Sequence, residues 1–417
     1  LSNLQHSTGA VVDATSRAAP TTFGDRMFRS LPPFHAWSSA IIAALIGFGA
    51  SIALVVQAMR TLGASVEQTG SAVTAICLGI AIVGAALSIR LRMPIVLAWS
   101  TPGAALLAAT SSGQHWSVAI GAFLVSGLLM VCLGTVPALG RMAERIPASV
   151  ASAMLAGVLL PFCLRLFKIG GTDPLLVTVI VVVYLAARQR IPLYALLLVL
   201  IAGALLPAVR GDIAPLPAGA TFGTLSPTIP HFDIRATIGI AIPLFLVTLV
   251  SQNLPGLVVL RTAGFRPKLG LLLVATGLAS LVGAPFGAYS INLAAITAAI
   301  CTSEEAHPDR SRRWTVGVLY GGCYLVLALF APLLVRFFLA LPHDVIAALT
   351  GVALIPALVG ALETALAAKD ERDAAVVTFL ATGSGLALFG LGSAFWGLVC
   401  GFAALAAKAI LRRDAKA

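Results

Sequence analysis

The chain consists of long apolar runs separated by short breaks rich in charge, Gly or Pro. A bilayer core about 30 Å thick takes about 20 apolar residues per helix. Cutting at the breaks yields fourteen candidate spans: 36–58, 68–89, 94–112, 117–139, 147–167, 174–187, 191–209, 236–258, 269–284, 286–302, 314–336, 345–365, 374–390 and 393–411. The third and tenth are short and interrupted in their first halves, the pattern of broken helices. In the third, Pro94-Ile95-Val96-Leu97-Ala98-Trp99-Ser100 is extended in character, and Ser100-Thr101-Pro102-Gly103 then supplies an N-cap with Pro in the first turn, so a helix starts there. In the tenth, Pro285-Phe286-Gly287-Ala288-Tyr289-Ser290 leads to Ile291-Asn292, where Ser290 or Asn292 caps a helix running to about Thr302.

The two halves echo each other in order. Arg60-Thr61-Leu62-Gly63 is matched by Arg261-Thr262-Ala263-Gly264, and Val83-Gly84-Ala85 by Val282-Gly283-Ala284. Ala98-Trp99-Ser100 is matched by Ala288-Tyr289-Ser290 at a shift of 190, whereas Pro147 and Pro161 pair with Pro342 and Pro356 at 195. Seven spans per copy is an odd number, so the second copy is inverted in the membrane, the arrangement of secondary transporters with a site at the repeat interface. The expected fold is therefore all-α and polytopic, a 7+7 inverted repeat with short extended stretches in segments 3 and 10. Its expected divisions are a disordered cytoplasmic tail over 1–33, a first repeat over 34–210, an external linker over 211–235, a second repeat over 236–411 and a cytoplasmic tail over 412–417.

Composition agrees with a membrane solvent. Of 417 residues 59% are apolar and 10% charged, and mean hydropathy is +1.00, against roughly 25% charged residues in soluble domains. The net charge of +11 changes meaning once sorted by loop. With both termini inside, the cytoplasmic side receives 21 basic residues, among them Arg17, Arg26, Arg29, Arg90, Arg92, Arg141, Arg145, Arg310, Arg312, Arg313 and Lys416. The outside receives 6: Arg60, Arg165, Lys168, Arg210, Arg235 and Arg336. That is the positive-inside bias, and no basic face suited to nucleic acid accompanies it. Trp37, Trp116 and Trp314 fall at span ends, where amphipathic rings favour the interface.

Candidate chemistry gathers at the two interrupted segments. Half-helix N-termini facing each other near the midplane attract a carboxylate without a buried Lys or Arg. Ser251-Gln252-Asn253-Leu254-Pro255-Gly256 adds a polar cluster to the eighth span, serving either as a bridge between helices or as pathway lining. Gln57 holds a comparable place in the first span and is expected to be structural. Thr297 either lines the site or bonds back to its own helix, and Tyr320 and Tyr324 share a helix face suited to packing. The 16 carboxylates fall in tails, loops or span edges, with Glu67 and Glu363 nearest to membrane depth. His35, His115 and His343 sit near interfaces as solvated or capping groups, and His307-Pro308-Asp309 reads as solvated charge. Cys77, Cys132, Cys163, Cys301, Cys323 and Cys400 are scattered without CxxC spacing and read as small hydrophobes. No HExxH, GxxxxGK[ST] or GxSxG occurs, so no enzyme, metal or cofactor motif is present.

On Pro94 to Gly103, Ser251 to Gly256, and Gly283 to Ala295, the chain resembles the benzoate:proton symporter family (BenE-like transporters) across residues 34–411, with a distant similarity to nucleobase and sulfate-permease-type carriers. The resemblance implies a core domain from spans 1–4 and 8–11, a gate domain from spans 5–7 and 12–14, import of benzoate with a proton, and often a homodimer in a bacterial-type inner membrane. It departs from the nucleobase branch, whose eighth and tenth spans carry acids, because Gln252, Asn253, Ser290 and Asn292 are neutral. Expected substrate contacts are Trp99, Ser100, Thr101, Gly103, Gln252, Asn253, Tyr289, Ser290 and Asn292, with Phe286 a further candidate against an aromatic ring. The alternatives are a nucleobase or inorganic-anion carrier, or an anion channel or sensor, on the same architecture.

Overall fold

The computed structural model describes residues 32–49, 51–110, 115–136, 147–389 and 391–414. The expected N-terminal tail lies almost wholly outside these residues, as do Arg17, Arg26, Arg29, Arg141, Arg145 and Lys416. The chain is mostly helical: α1 (Phe34–Gly49), α2 (Ile52–Thr61), α3 (Val66–Leu91), β1 (Leu97–Trp99), α4 (Thr101–Ala108), α5 (Trp116–Thr135), α6 (Ala148–Ile169), α7 (Pro174–Arg190) and α8 (Ala195–Arg210). After a long extended connection come α9 (Ile234–Thr262), then α10 (Leu269–Gly283), β2 (Ile291–Leu293), α11 (Ile296–Thr302), α12 (Trp314–Ala340), α13 (His343–Ala367), α14 (Arg372–Gly383) and α15 (Ser393–Asp414).

Among the described residues, nine helices have the length and apolar composition to cross a membrane. The other five predicted spans correspond to α7, α8 and α14, with 17, 16 and 12 residues, and to the two strand–helix units. Local chemistry explains several boundaries. α3 opens with a capping box, Ser65 and Gln68 exchanging side-chain and backbone bonds. α6 and α13 each follow a proline, Pro147 and Pro342, and each holds a second one, Pro161 and Pro356. These helices pack against each other. At the start of α2, Ser51 has extended φ (−137°) and donates its hydroxyl to the Gly47 carbonyl. Residues 412–414 continue helix α15.

α9 contains two wide, π-type turns, Thr237–Ala241 and Leu249–Asn253. A proline follows each, Pro243 and Pro255. Proline has no N–H for the carbonyl four residues back and its ring crowds that turn, so the ladder widens just ahead of it.

α3 lies along α12, α5 along α10, and α14 along both α6 and α15. β1 and β2, far apart in sequence, form a two-stranded antiparallel ribbon in the register Leu97↔Leu293, Ala98↔Asn292 and Trp99↔Ile291. It packs against α3, α9 and α10. Residues 212–233 cross one end of the bundle without regular structure, but their backbone is paired. Ala214 and Gly223 donate to Ala340 and Leu329 of α12, Thr228 to Pro285, and His231 to Ser117 of α5. Ser226 donates to Ser71 of α3, and Arg336 binds the carbonyls of Pro217 and Gly219.

Candidate functional site

Most of the expected site residues lie in the ribbon or bond to it and the segments beside it. Each strand is hung from a serine in the preceding helix: Ile95 N–H donates to Ser88 Oγ of α3 at 3.0 Å, and Ile291 N–H to Ser280 Oγ of α10 at 2.8 Å. Sequence reasoning missed both serines. Their signal is a hydroxyl inside an apolar run, shortly before a Pro break. After β1, Ser100 accepts the Gly103 N–H at 2.9 Å and caps α4, with Pro102 in the first turn as expected. Pro102 has no N–H and that of Gly103 is taken, so at most the amides of Ser100 and Thr101 remain to meet a ligand.

The second half-helix is a correction. Neither Ser290 nor Asn292 caps α11, whose N-cap is Ala295 with no side-chain bond. Asn292 lies in β2 and donates to the Leu293 carbonyl at 3.0 Å, while Ser290 donates to Asn292 Oδ1 at 3.1 Å. The extended stretch of segment 10 falls at Ile291–Leu293, after Ala284–Phe286 forms a tight helical turn that Gly287 ends at φ +100°. The strands are thus 194 residues apart, close to the proline shift of 195. Trp99 therefore faces Ile291 across the ribbon, and Tyr289 lies before β2.

The aromatic candidates are enclosed. Trp99 is 2% exposed, its indole N–H donates to Ser51 Oγ at 2.7 Å, and its ring contacts Phe48 and Tyr324. Tyr289 donates its hydroxyl to the Ser100 carbonyl at 2.9 Å, so the segment before β2 braces the start of α4. Asn253, brought inward by the second wide turn of α9, is fully buried and accepts the Leu293 N–H at 3.1 Å. Gln252 and Thr101 are half-buried. Gly103 serves clearance: a Cβ there would lie 2.8 Å from Leu244 and 2.9 Å from Ser100 Oγ.

Behind the ribbon, Tyr320 donates to the Leu97 carbonyl at 3.1 Å. Thr297 Oγ1 and Tyr324 OH are buried without a partner, so Thr297 does not bond back to its own helix. A Cβ on Gly47 would lie 3.1 Å from Thr297 and 3.2 Å from Tyr324. Gln57 Oε1 is likewise buried and unpaired. Apart from the ribbon, a cavity of about 10 Å³ lies between α2, α8 and α13 beside Thr350, room for about one water.

None of the Asp or Glu residues described between 32 and 411 is buried. Asp173 caps α7, and the Arg210 guanidinium holds its carboxyl below the usual carboxylate range. Asp309 is lowered by hydrogen bonds from Ser311. Two expectations at the bundle ends change. Trp116 is 6% exposed against Phe123 and is not an interface ring. His307 is buried and not solvated, its Nδ1 accepting the Asp309 N–H while Arg313 grips the carbonyls of His307 and Thr302. His115 makes no side-chain cap, and His343 meets Arg165 at 2.6 Å. Among the described residues no His, Cys, Asp and Glu group is arranged to hold a metal.

The chain as a whole is similar to known proteins. The benzoate membrane transport protein family, BenE, matches residues 32–407. The chain belongs to the BenE family. Inner membrane protein YdcO of Escherichia coli is 40% identical over 378 residues, covering 90% of this chain and 96% of that protein. The benzoate membrane transport protein of Acinetobacter baylyi is 34% identical over 366 residues, covering 88% and 93%. At the level of fold, this BenE member is similar to the transmembrane domain of the cyanobacterial bicarbonate transporter BicA, with a TM-score of 0.55, 14% identity and coverage of 88% and 97%. Murine Slc26a9, an anion transporter in the inward-facing state, gives 0.60, 13%, 97% and 74%. The BenE member is a membrane transporter and not an enzyme.

Proposed function

We propose that this transporter imports benzoate or a related aromatic carboxylate together with a proton, by alternating access across a bacterial-type inner membrane. The observation that carries the reading is the ribbon joining Leu97–Trp99 to Ile291–Leu293, whose polar neighbours are neutral hydrogen-bonding groups set among aromatic rings. Membership of a benzoate transport family supports the substrate class.

In this reading residues 34–210 and 236–411 are the two copies of a 7+7 inverted repeat, with both termini cytoplasmic. Spans 1–4 and 8–11 move as a core against a gate of spans 5–7 and 12–14. Arg165, Arg210 and Arg336, assigned to the outside, meet His343, Asp173 and the 212–233 connection, an association that suits one common face. Trp99, Ser100, Thr101, Gly103, Gln252, Asn253, Tyr289, Ser290 and Asn292 form the site. The enclosed, hydrogen-bonded state of Trp99, Ser100, Asn253, Tyr289, Ser290 and Asn292 is the closed form, which opens as the gate withdraws. Burying an aromatic ring adds roughly 2–3 kcal/mol from about 100 Å² of apolar surface. Moving an anion into a negative-inside cell costs about 2.3 kcal/mol per 100 mV, and one accompanying proton removes that cost.

Uptake of labelled benzoate into proteoliposomes, corrected for protein-free vesicles, tests this. Accumulation driven by an inward proton gradient and trans-stimulated exchange are expected. Saturable benzoate uptake indifferent to the gradient would overturn proton coupling, and flux without exchange would favour a channel.

A further inference from the structure

Resting on that substrate assignment, we infer that the protein binds the aromatic acid in its neutral, protonated form, so that the substrate's own carboxyl carries the coupled proton. The polar groups about the ribbon are Ser51 and the Trp99 indole, the Ser100 cap, Thr248, Asn253, Tyr289, Ser290, Asn292 and the hydroxyls of Tyr320 and Tyr324. All are uncharged. The charged residues on the elements packed against the ribbon, Glu67 and Arg90 on α3, Arg235 and Arg261 on α9 and Arg336 on α12, stand near the ends of their helices. α4, α5, α10 and α11 contain none.

An unpaired carboxylate taken out of water into such surroundings loses far more solvation than neutral hydrogen bonds return, and it neutralises instead. The helix ends do not reverse this. α11 has only seven residues, so few peptide dipoles add up along it, and α4 has at most two free amides. Nor do the neighbouring side chains supply another proton acceptor. Tyr289, Tyr320, Tyr324, Cys77 and Cys301 are buried there, and phenols and thiols ordinarily hold their protons to about pH 8.5 or above. They enter the site already protonated. A neutral carboxyl has one donor and one acceptor, which suits amides such as Asn292 and hydroxyls such as Ser290 without leaving a charge.

The step is a single proton transfer. A carboxylate oxygen takes a proton from the outer solution as it sheds its hydration, and the carboxyl returns it to the inner solution on release. Only the O–H bond forms and breaks, one proton accompanies each substrate, and no net charge moves.

Binding of labelled benzoate to the purified full chain in detergent, from pH 5 to pH 7, tests the inference. An aromatic carboxyl titrates near the ordinary carboxylate value of about 4, so the Kd for total benzoate should rise roughly tenfold per pH unit, about a hundredfold over the range. Benzamide, a neutral mimic of the acid, should compete with an affinity that does not vary with pH, and benzenesulfonate, an anion throughout, should not compete. A pH-independent Kd for benzoate, or failure of benzamide to compete, overturns the inference. So does displacement by benzenesulfonate with the same pH dependence as benzoate, which would put the proton on the protein. Absence of any benzoate binding removes the substrate assignment and the inference with it.

Discussion

The Trp99 indole N–H donates to Ser51 Oγ at 2.7 Å, tying the first strand of the ribbon to the start of α2. Both residues are buried, so the bond has no water to replace it. Ser51→Ala is expected to lower stability by about 1–2 kcal/mol by leaving the indole unpaired. The double change Ser51→Ala with Trp99→Phe should recover part of that loss, since neither partner then remains. Thermal unfolding in detergent checks both, and equal melting temperatures for wild type and Ser51→Ala would remove the bond from the stability of the ribbon.

Asn253 and Gln252 are adjacent but differ in surroundings. Asn253 is fully buried and accepts the Leu293 N–H, whereas Gln252 is half-buried and its side chain makes no hydrogen bond among the described residues. Asn253→Ala is expected to destabilise the fold by about 1–3 kcal/mol. Gln252→Ala should stay within about 0.5 kcal/mol of wild type and weaken benzoate binding severalfold. Titration of both variants separates the roles, and unchanged affinity in Gln252→Ala would remove that residue from the site.

Gly103 is held by clearance. Gly103→Ala brings a methyl within 2.8 Å of Leu244 and 2.9 Å of Ser100 Oγ, so the cap or Leu244 must shift, at about 1–3 kcal/mol for overpacking. The melting temperature should fall, and the smaller neighbour in Gly103→Ala with Leu244→Val should restore part of it. No recovery in the double variant would place the strain elsewhere.

Asp173 links pH to stability at the start of α7. Arg210 holds its carboxyl below the usual value, so the ionised form is favoured in the folded state. Its contribution is present above about pH 3.9, the ordinary aspartate value, and is lost as pH falls through the depressed one. Asp173→Asn keeps a good cap but removes the charge. The variant should melt lower than wild type at pH 7, with the gap narrowing as the pH drops below 4. A gap that stays constant with pH would trace the loss to the cap.

Part of the local structure around the candidate site was legible in residues whose chemistry is local. Ser100-Thr101-Pro102-Gly103 spells a helix start in any context, and the structure places the cap there. Ser290 and Asn292 carry the same side-chain types, yet Asn292 is drawn into a strand by a partner 194 residues away, which no neighbouring position announces. The ribbon itself is tertiary, and so are the bonds that Tyr320 and Tyr289 make to Leu97 and Ser100. The wide turns of α9 did leave a trace in Pro243 and Pro255, but the consequence of each proline appears upstream of it, in the turn that ends two residues earlier.

The connection over residues 212–233 carries a consequence for assembly in the cell. Its backbone partners are Ser117 from the first half of the chain and Pro285, Leu329 and Ala340 from the second. Synthesis delivers this stretch well before the last three of them exist. Its bonds to Pro285, Leu329 and Ala340 therefore form only once α12 is complete and docked, and they close it as a clasp. Protection of residues 212–233 from an added protease would mark molecules that have finished folding, and a chain stalled before Ala340 would be cut there first.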